Sequence, residues 1–209
     1  MGHRYIICFF LLILGCSSKD DEAPVSPADP PVAQANSIGC PGAFYQPWES
    51  SHYVLPYPVG ETYKVHLSHC SGSYHSPGEP DAFAVDFEMN IGSLITASRR
   101  GTVVHIEERG LDGEHPNNLV VVKHDDETYA QYMHLTQNGA IPEIGDIVEQ
   151  GDSIGLSGAT GLAIYPHLHF VVTTEGWEYP YVSVPHNFKN TEANPRGPQA
   201  RKEYTAEPY

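Results

Sequence analysis

His167 and His169 are separated by one residue at the head of the apolar run Phe170, Val171, Val172. A β-strand sends alternate side chains to opposite faces, so two imidazoles at this spacing look into one space about 6–7 Å apart. If one ring holds a metal, the other is too far away to chelate the same ion readily, but it is well placed to touch water or a reacting carbonyl. Gly158 and Gly161 precede the pair and predict a tight approach loop in which backbone comes close to its neighbours. A third histidine, His134, ends the run that starts at Tyr129; alternation gives it the same face as Tyr132 and makes Leu135 the start of a turn. Asp86 sits in the run 83–87, where Phe83, Val85 and Phe87 are expected on one face and Ala84 and Asp86 on the other. Alone, an H-x-H pair reads equally as two chance histidines on a strand. The added histidine and carboxylate suggest a metal-assisted or general acid–base site. No H-E-x-x-H occurs, so the helix-borne zinc motif is excluded.

The elements that must position these residues are short. The 209 residues suffice for one domain with appendages. With 19 Gly, 18 Pro and 13 Tyr, brief β-branched clusters and little helical periodicity, the chain reads as all-β with many turns. Strands are expected at 63–67, 83–87, 94–97, 102–107, 119–124, 129–135 and from His169 to about Thr174. The Gly-Asp pairs at Gly145 and Gly151 predict two short strands around tight turns, as in small β-sandwich hairpins. A formal charge of −15 with no basic run argues against nucleic acid, whose phosphates need clustered Lys and Arg.

The N-terminus bears on the compartment. Arg4 precedes an apolar stretch, 5–14, too short to span a bilayer, and Ile13-Leu14-Gly15-Cys16 resembles a bacterial lipobox. Residues 1–15 are read as a lipoprotein signal peptide and Cys16 as a lipidated residue anchoring the protein to a membrane of the cell envelope. Residues 16–37, rich in Pro, Ser, Ala and acid, form the expected linker. Cys40 and Cys70 then remain as an even pair in an oxidising compartment and are expected to form a disulfide, with soft metal ligation the alternative. Residues 38–62 are expected to make an irregular N-terminal cap, 63–174 the main domain, and 175–209 an extension packed on it.

Four signals occur in order: Phe83-Ala84-Val85-Asp86 followed by Asn90-Ile91-Gly92, Tyr132-Met133-His134-Leu135, the Gly-Asp-x-Ile-Gly-x-Ser-Gly-x-Thr-Gly run ending at Gly161, and Pro166-His167-Leu168-His169-Phe170. Together they resemble the lysostaphin/LytM-type zinc metalloendopeptidases, which cleave peptide stems or cross-bridges of bacterial peptidoglycan. The resemblance spans roughly residues 63–174. It implies a LytM-like antiparallel β-sheet groove with small β-sandwich or barrel hairpins, a Zn2+ cofactor, peptidoglycan peptides as substrate and a monomer. It also implies that His169 and Asp86 are zinc ligands and that His134 and His167 act on water and substrate. The commonest family pattern is H-x-x-x-D, and here Ala82 stands four residues before Asp86. Many members carry the histidine further upstream, before a glycine-rich turn, and Ser73-Tyr74-His75-Ser76-Pro77-Gly78 fits that variant. His75 is therefore assigned as the first ligand, with His69 its competitor and Asp81 a more distant one. Asn90 and Tyr132 are expected to line the groove. The remaining histidines, His52, His66, His105, His115, His124 and His186, are read as surface or structural.

The alternative function is a catalytically inactive LytM-type module that recruits or activates another cell-wall hydrolase. Ala82 and the acidic charge favour it. A lipoyl-type carrier barrel is disfavoured because the hairpin around Gly145 to Gly155 has no lysine to modify.

Overall fold

The computed structural model describes residues 1–2 and 39–209. The signal peptide, Cys16 and the linker expected from the sequence lie outside the described residues, save for Met1 and Gly2. Among the described residues the elements are a single 3-10 turn, Trp48–Ser50, and twelve strands: β1 Thr62–Lys64, β2 Val85–Glu88, β3 Leu94–Thr96, β4 Gly101–Glu107, β5 Leu119–Lys123, β6 Tyr129–Met133, β7 Leu135–Ala140, β8 Ile147–Val148, β9 Ser153–Ser157, β10 His167–Thr174, β11 Val182–Ser183 and β12 Glu203–Thr205. The chain is all-β, as its turn-rich composition implies, and every strand pair is antiparallel.

The main sheet runs β11-β10-β6-β5-β4-β8, with β2 also paired to β10. A three-stranded sheet, β3-β9-β7, and the pair β1-β12 complete the fold. One face of the main sheet builds the core. Val85, Phe87, Val120, Val122, Ala130, Tyr132, Leu168, Phe170 and Val172 all belong to one buried apolar cluster. Each is two residues from the next in its strand, the two-residue period that packs a sheet face. The opposite face of β2 and β10 is therefore left to Ala84, Asp86, His167, His169 and Val171.

Segments on either side of the main strands also enter that core. Leu55 and Tyr57 from the irregular stretch after Trp48, and Phe188, Tyr204 and Ala206 from the C-terminal segment, join the same cluster. The stretch before β1 is irregular apart from the turn at Trp48–Ser50, because Pro47, Pro56 and Pro58 interrupt backbone pairing.

Some local expectations are corrected. Leu135 begins strand β7 rather than a turn. Tyr132 is buried in the core, where its hydroxyl accepts a hydrogen bond from the Ser98 N–H at 2.8 Å, and it does not line a groove. Asn90 is an exposed turn residue whose carbonyl accepts from the Ser93 N–H at 3.0 Å. Phe83 precedes β2 and packs with Cys40, Cys70 and Ala82 instead of with Val85 and Phe87, because alternation starts only where pairing to β10 does.

Two repeated turns shape the hairpin region. The Asp146 carboxylate accepts from the Glu143 N–H at 2.9 Å, and Asp152 repeats this with Glu149 at 2.8 Å. This local bonding is what makes Asp a turn former.

Cys40 and Cys70 form a disulfide across 30 residues of sequence. The Cys70 N–H donates to the Ala82 carbonyl at 2.8 Å, so the loop between them is tied at its base beside the bridge. Cys70→Ser is expected to lower the unfolding free energy by about 3–4 kcal/mol, the chain-entropy value for a loop of this length. Denaturant titration under non-reducing conditions reads this directly, and an unchanged midpoint would refute it.

Two structural histidines predict an acid response. His124 and His186 are buried, and burial pushes each down to about 4. Nδ1–H of His124 donates to the Arg100 carbonyl at 2.8 Å. An unfolded histidine takes up its proton near pH 6.5. Between pH 6.5 and 4 the unfolded chain therefore binds protons that the folded chain refuses, and stability falls as pH falls. The expected loss is on the order of 3 kcal/mol per histidine across that window. Urea midpoints of metal-free His124→Asn, which keeps a donor for the Arg100 carbonyl, should show a shallower pH slope than wild type. Equal slopes would show that His124 does not contribute.

Candidate metal centre

The strand register brings the site together. On β10, His169 lies directly opposite Asp86 of β2 on one side and Met133 of β6 on the other. Opposed residues in adjacent strands point to the same face, so His169 Nδ1 meets Asp86 Oδ1 at 2.9 Å. His167, two residues earlier, turns its Nε2 to the same oxygen at 3.7 Å. The third approach comes from the loop closed by Cys70 and Ala82: His75 Nε2 is 3.4 Å from Asp86 Oδ1. A tight turn in which the His75 N–H donates to the Gly72 carbonyl at 3.0 Å sets its position. The His75 and His169 rings meet edge to face with centroids 5.3 Å apart.

His134 reaches the same space by a break in the alternation. Its φ of 64° puts it in the left-handed region, so it does not share the core face of Tyr132. Its ring lies 4.6 Å from that of His167 and 5.7 Å from that of His169. The conformation is held by Asn117, whose Oδ1 accepts from the His134 N–H at 3.0 Å. A non-glycine residue at positive φ costs on the order of 1–3 kcal/mol and persists only where its surroundings hold it. The approach loop is as tight as its glycines imply. A Cβ at Gly158 would sit 2.3 Å from the Thr136 nitrogen, and one at Gly161 would sit 2.6 Å from Asn117 Cβ.

Two sets of three buried donors have their ligand atoms within 4.8 Å of one another: His75, Asp86 and His169, and His134, His167 and His169. His69 belongs to neither. It bonds Tyr45 through Nδ1 at 3.1 Å and packs against His186 with ring centroids 4.6 Å apart. Ala82 is buried against the disulfide.

Backbone carbonyls define two of the imidazoles. Nδ1–H of His134 donates to the Thr160 carbonyl at 2.7 Å, and Nδ1–H of His167 donates to the Tyr165 carbonyl at 2.8 Å. Each ring thereby keeps its Nε2 lone pair free for the site. Burial holds both in the neutral form, His134 pushed down to about 3 and His167 also lowered. His169 behaves differently. Burial pushes it down, but bonds to Asp81 and Asp86 outweigh burial and lift it to about 10. Burial likewise works against ionisation of Asp86, and His75 and His169 overcome it, holding the carboxyl well below its usual range.

The donor set fits a divalent cation of the zinc type. Three imidazole nitrogens converge on one carboxylate oxygen in a buried space, and two imidazoles with one carboxylate is an N/O set that zinc accepts. Tyr165 adds a contact that sequence reasoning missed. Its ring stacks on His167 with centroids 4.5 Å apart, and its hydroxyl donates to Asp86 Oδ2 at 3.5 Å. Nothing in the spacing of Tyr165 signals this, because the contact runs from the bend before β10 to β2.

Residues 82–180 match the family described as Peptidase family M23. Lysostaphin of Staphylococcus simulans is 34% identical over 115 residues, covering 55% of this chain and 19% of that protein. The peptidoglycan DD-endopeptidase ShyA of Vibrio cholerae is 36% identical over 91 residues, covering 44% of this chain and 20% of that protein. The chain thus spans about a fifth of the length of these relatives. The structure described as a novel M23 metalloprotease, pseudoalterin, from deep sea superposes with a TM-score of 0.50 at 18% identity, covering 70% of this chain and 86% of that one, which speaks to the fold alone. The ordered motifs, the sheet that opposes His169 to Asp86 and the matched segment agree in making residues 82–180 similar to peptidase family M23, the lysostaphin/LytM type.

Proposed function

We propose that this protein is a zinc-dependent endopeptidase that hydrolyses peptide stems or cross-links of bacterial peptidoglycan, held at the cell envelope by lipid on Cys16. The observation that supports it best is the convergence of His75, His167 and His169 on Asp86 Oδ1. His75, Asp86 and His169 would hold the metal. A zinc ion there supplies Lewis-acid polarisation of a carbonyl and activates water as a nucleophile near neutral pH. In amide hydrolysis the water oxygen bonds to the carbonyl carbon, the C–N bond breaks, and a proton passes to the leaving amine. His134 and His167 suit that proton's path, since both present an Nε2 lone pair while Nδ1–H is held by a carbonyl. The Tyr165 hydroxyl, kept protonated by burial and by Asp86, is a donor beside the same carboxylate.

The alternative of an inactive module rests on Ala82 at the commonest ligand position. It is weakened by His75, whose Nε2 reaches Asp86 from another loop. Elemental analysis of an untreated preparation, joined to an assay for new amines released from peptidoglycan fragments, decides between the two. About one zinc per chain with amine release supports the enzyme; no zinc after reconstitution and no release supports the module. Because the disulfide anchors Cys70 at the base of the loop bearing His75, Cys70→Ser is also expected to weaken zinc retention, and unchanged affinity would break that link.

A further inference from the structure

His169 has both of its ring nitrogens engaged. Nδ1 faces Asp86 Oδ1 at 2.9 Å, and Nε2 faces Asp81 Oδ1 at 3.1 Å. Asp81 lies in the turn before β2, where its carbonyl accepts from the Ala84 N–H at 2.9 Å. The same Oδ1 accepts a second hydrogen bond, from the Tyr181 hydroxyl at 2.5 Å. Tyr181 comes from the segment before β11, so three distant parts of the chain meet on one carboxylate oxygen. Asp81 belongs to neither group of clustered donors, and its oxygen lies on the far side of the ring from Asp86.

An imidazole offers a metal only the nitrogen that lacks a proton, and the partner of the other nitrogen decides which one that is. The geometry points to Asp81 as the positioning residue for His169: it accepts the Nε2–H, leaves Nδ1 as the donor toward Asp86 and His75, and is itself oriented by Tyr181. This inference rests on the function proposed above. Its physical reason is the general one for metal-bound histidines. A carboxylate behind the ring fixes the tautomer and the rotation of the ring, and it makes the opposite nitrogen a stronger base.

The test is zinc affinity, measured by competition with a chromophoric chelator, together with the tautomer of His169 read by long-range ¹H–¹⁵N NMR of the zinc-loaded protein. Wild type is expected to show a protonated Nε2 and a metal-bound Nδ1 at His169. Asp81→Asn, which keeps an acceptor but removes the charge, is expected to bind zinc about 10- to 100-fold more weakly. Tyr181→Phe, which leaves Asp81 in place and removes one small polar contact, should show a smaller loss and an altered Nε2–H resonance. Circular dichroism of the zinc-free variants confirms that each has folded. A protonated Nδ1 at His169 in zinc-loaded wild type would overturn the inference. Folded Asp81→Asn with wild-type affinity would overturn it too, leaving the proposed function standing. Wild type that takes up no zinc overturns both.

Discussion

His75→Ala is expected to lose zinc and, with it, hydrolysis of peptidoglycan fragments by roughly 10³-fold or more, the scale of several kcal/mol of metal stabilisation. The argument rests on counting ligands. With His75 gone, Asp86 and His169 are the remaining members of the set, and His134 and His167 belong to the second group of donors, which shares only His169 with the first. His69→Ala is the matched control. His69 is fully buried in contact with Tyr45, Phe83 and His186, so its removal leaves a cavity and costs about 2–4 kcal/mol of stability. Its zinc content should stay at the wild-type level. Elemental analysis and a denaturant titration on both variants separate the roles. Zinc retained in His75→Ala, or lost in folded His69→Ala, would reverse the assignment.

The second large effect concerns the two histidines that face the site without belonging to the ligand set. His134→Asn and His167→Gln are expected to keep one zinc per chain while kcat falls by roughly 10²- to 10⁴-fold, the usual range for a lost acid–base group. Asparagine is chosen at residue 134 because the φ of 64° favours a residue that tolerates the left-handed region, so the substitution tests chemistry rather than backbone strain. If the two histidines share one proton path, the double variant should fall little below the weaker single variant, since groups that act as a unit are not additive. Steady-state rates on a defined cross-linked stem peptide, with zinc measured on the same samples, check this. Near-wild-type kcat in either zinc-loaded variant would remove that histidine from the mechanism.

Legibility from sequence followed the range of the physics involved. The H-x-H pair and Asp86 stand out because a strand repeats every two residues: Leu168 and Phe170 enter the core, which sends His167 and His169 the other way, and Val85 and Phe87 do the same for Asp86. The all-β class follows from turn-rich composition for a similarly local reason. The pairing of Cys40 with Cys70 is present in the structure as the cysteine count suggested. The alternation argument fails at His134, because one left-handed residue reverses the direction of a side chain and nothing in Tyr132-Met133-His134-Leu135 announces it.

The sequence by itself determined which strands carry the candidate site residues and that a carboxylate and two imidazoles share the sheet face opposite the core, since period and side-chain direction are properties of neighbouring residues. Only the tertiary structure decided which upstream histidine joins them. Loops have no period, and the choice depends on the tie between Cys70 and Ala82, which delivers His75 to Asp86, and on Tyr45 and His186, which occupy His69. It also decided what stands behind His169. Asp81 and Tyr181 lie 88 and 12 residues from it in the chain, and they meet its ring only because β2, β10 and the segment before β11 close on the same face.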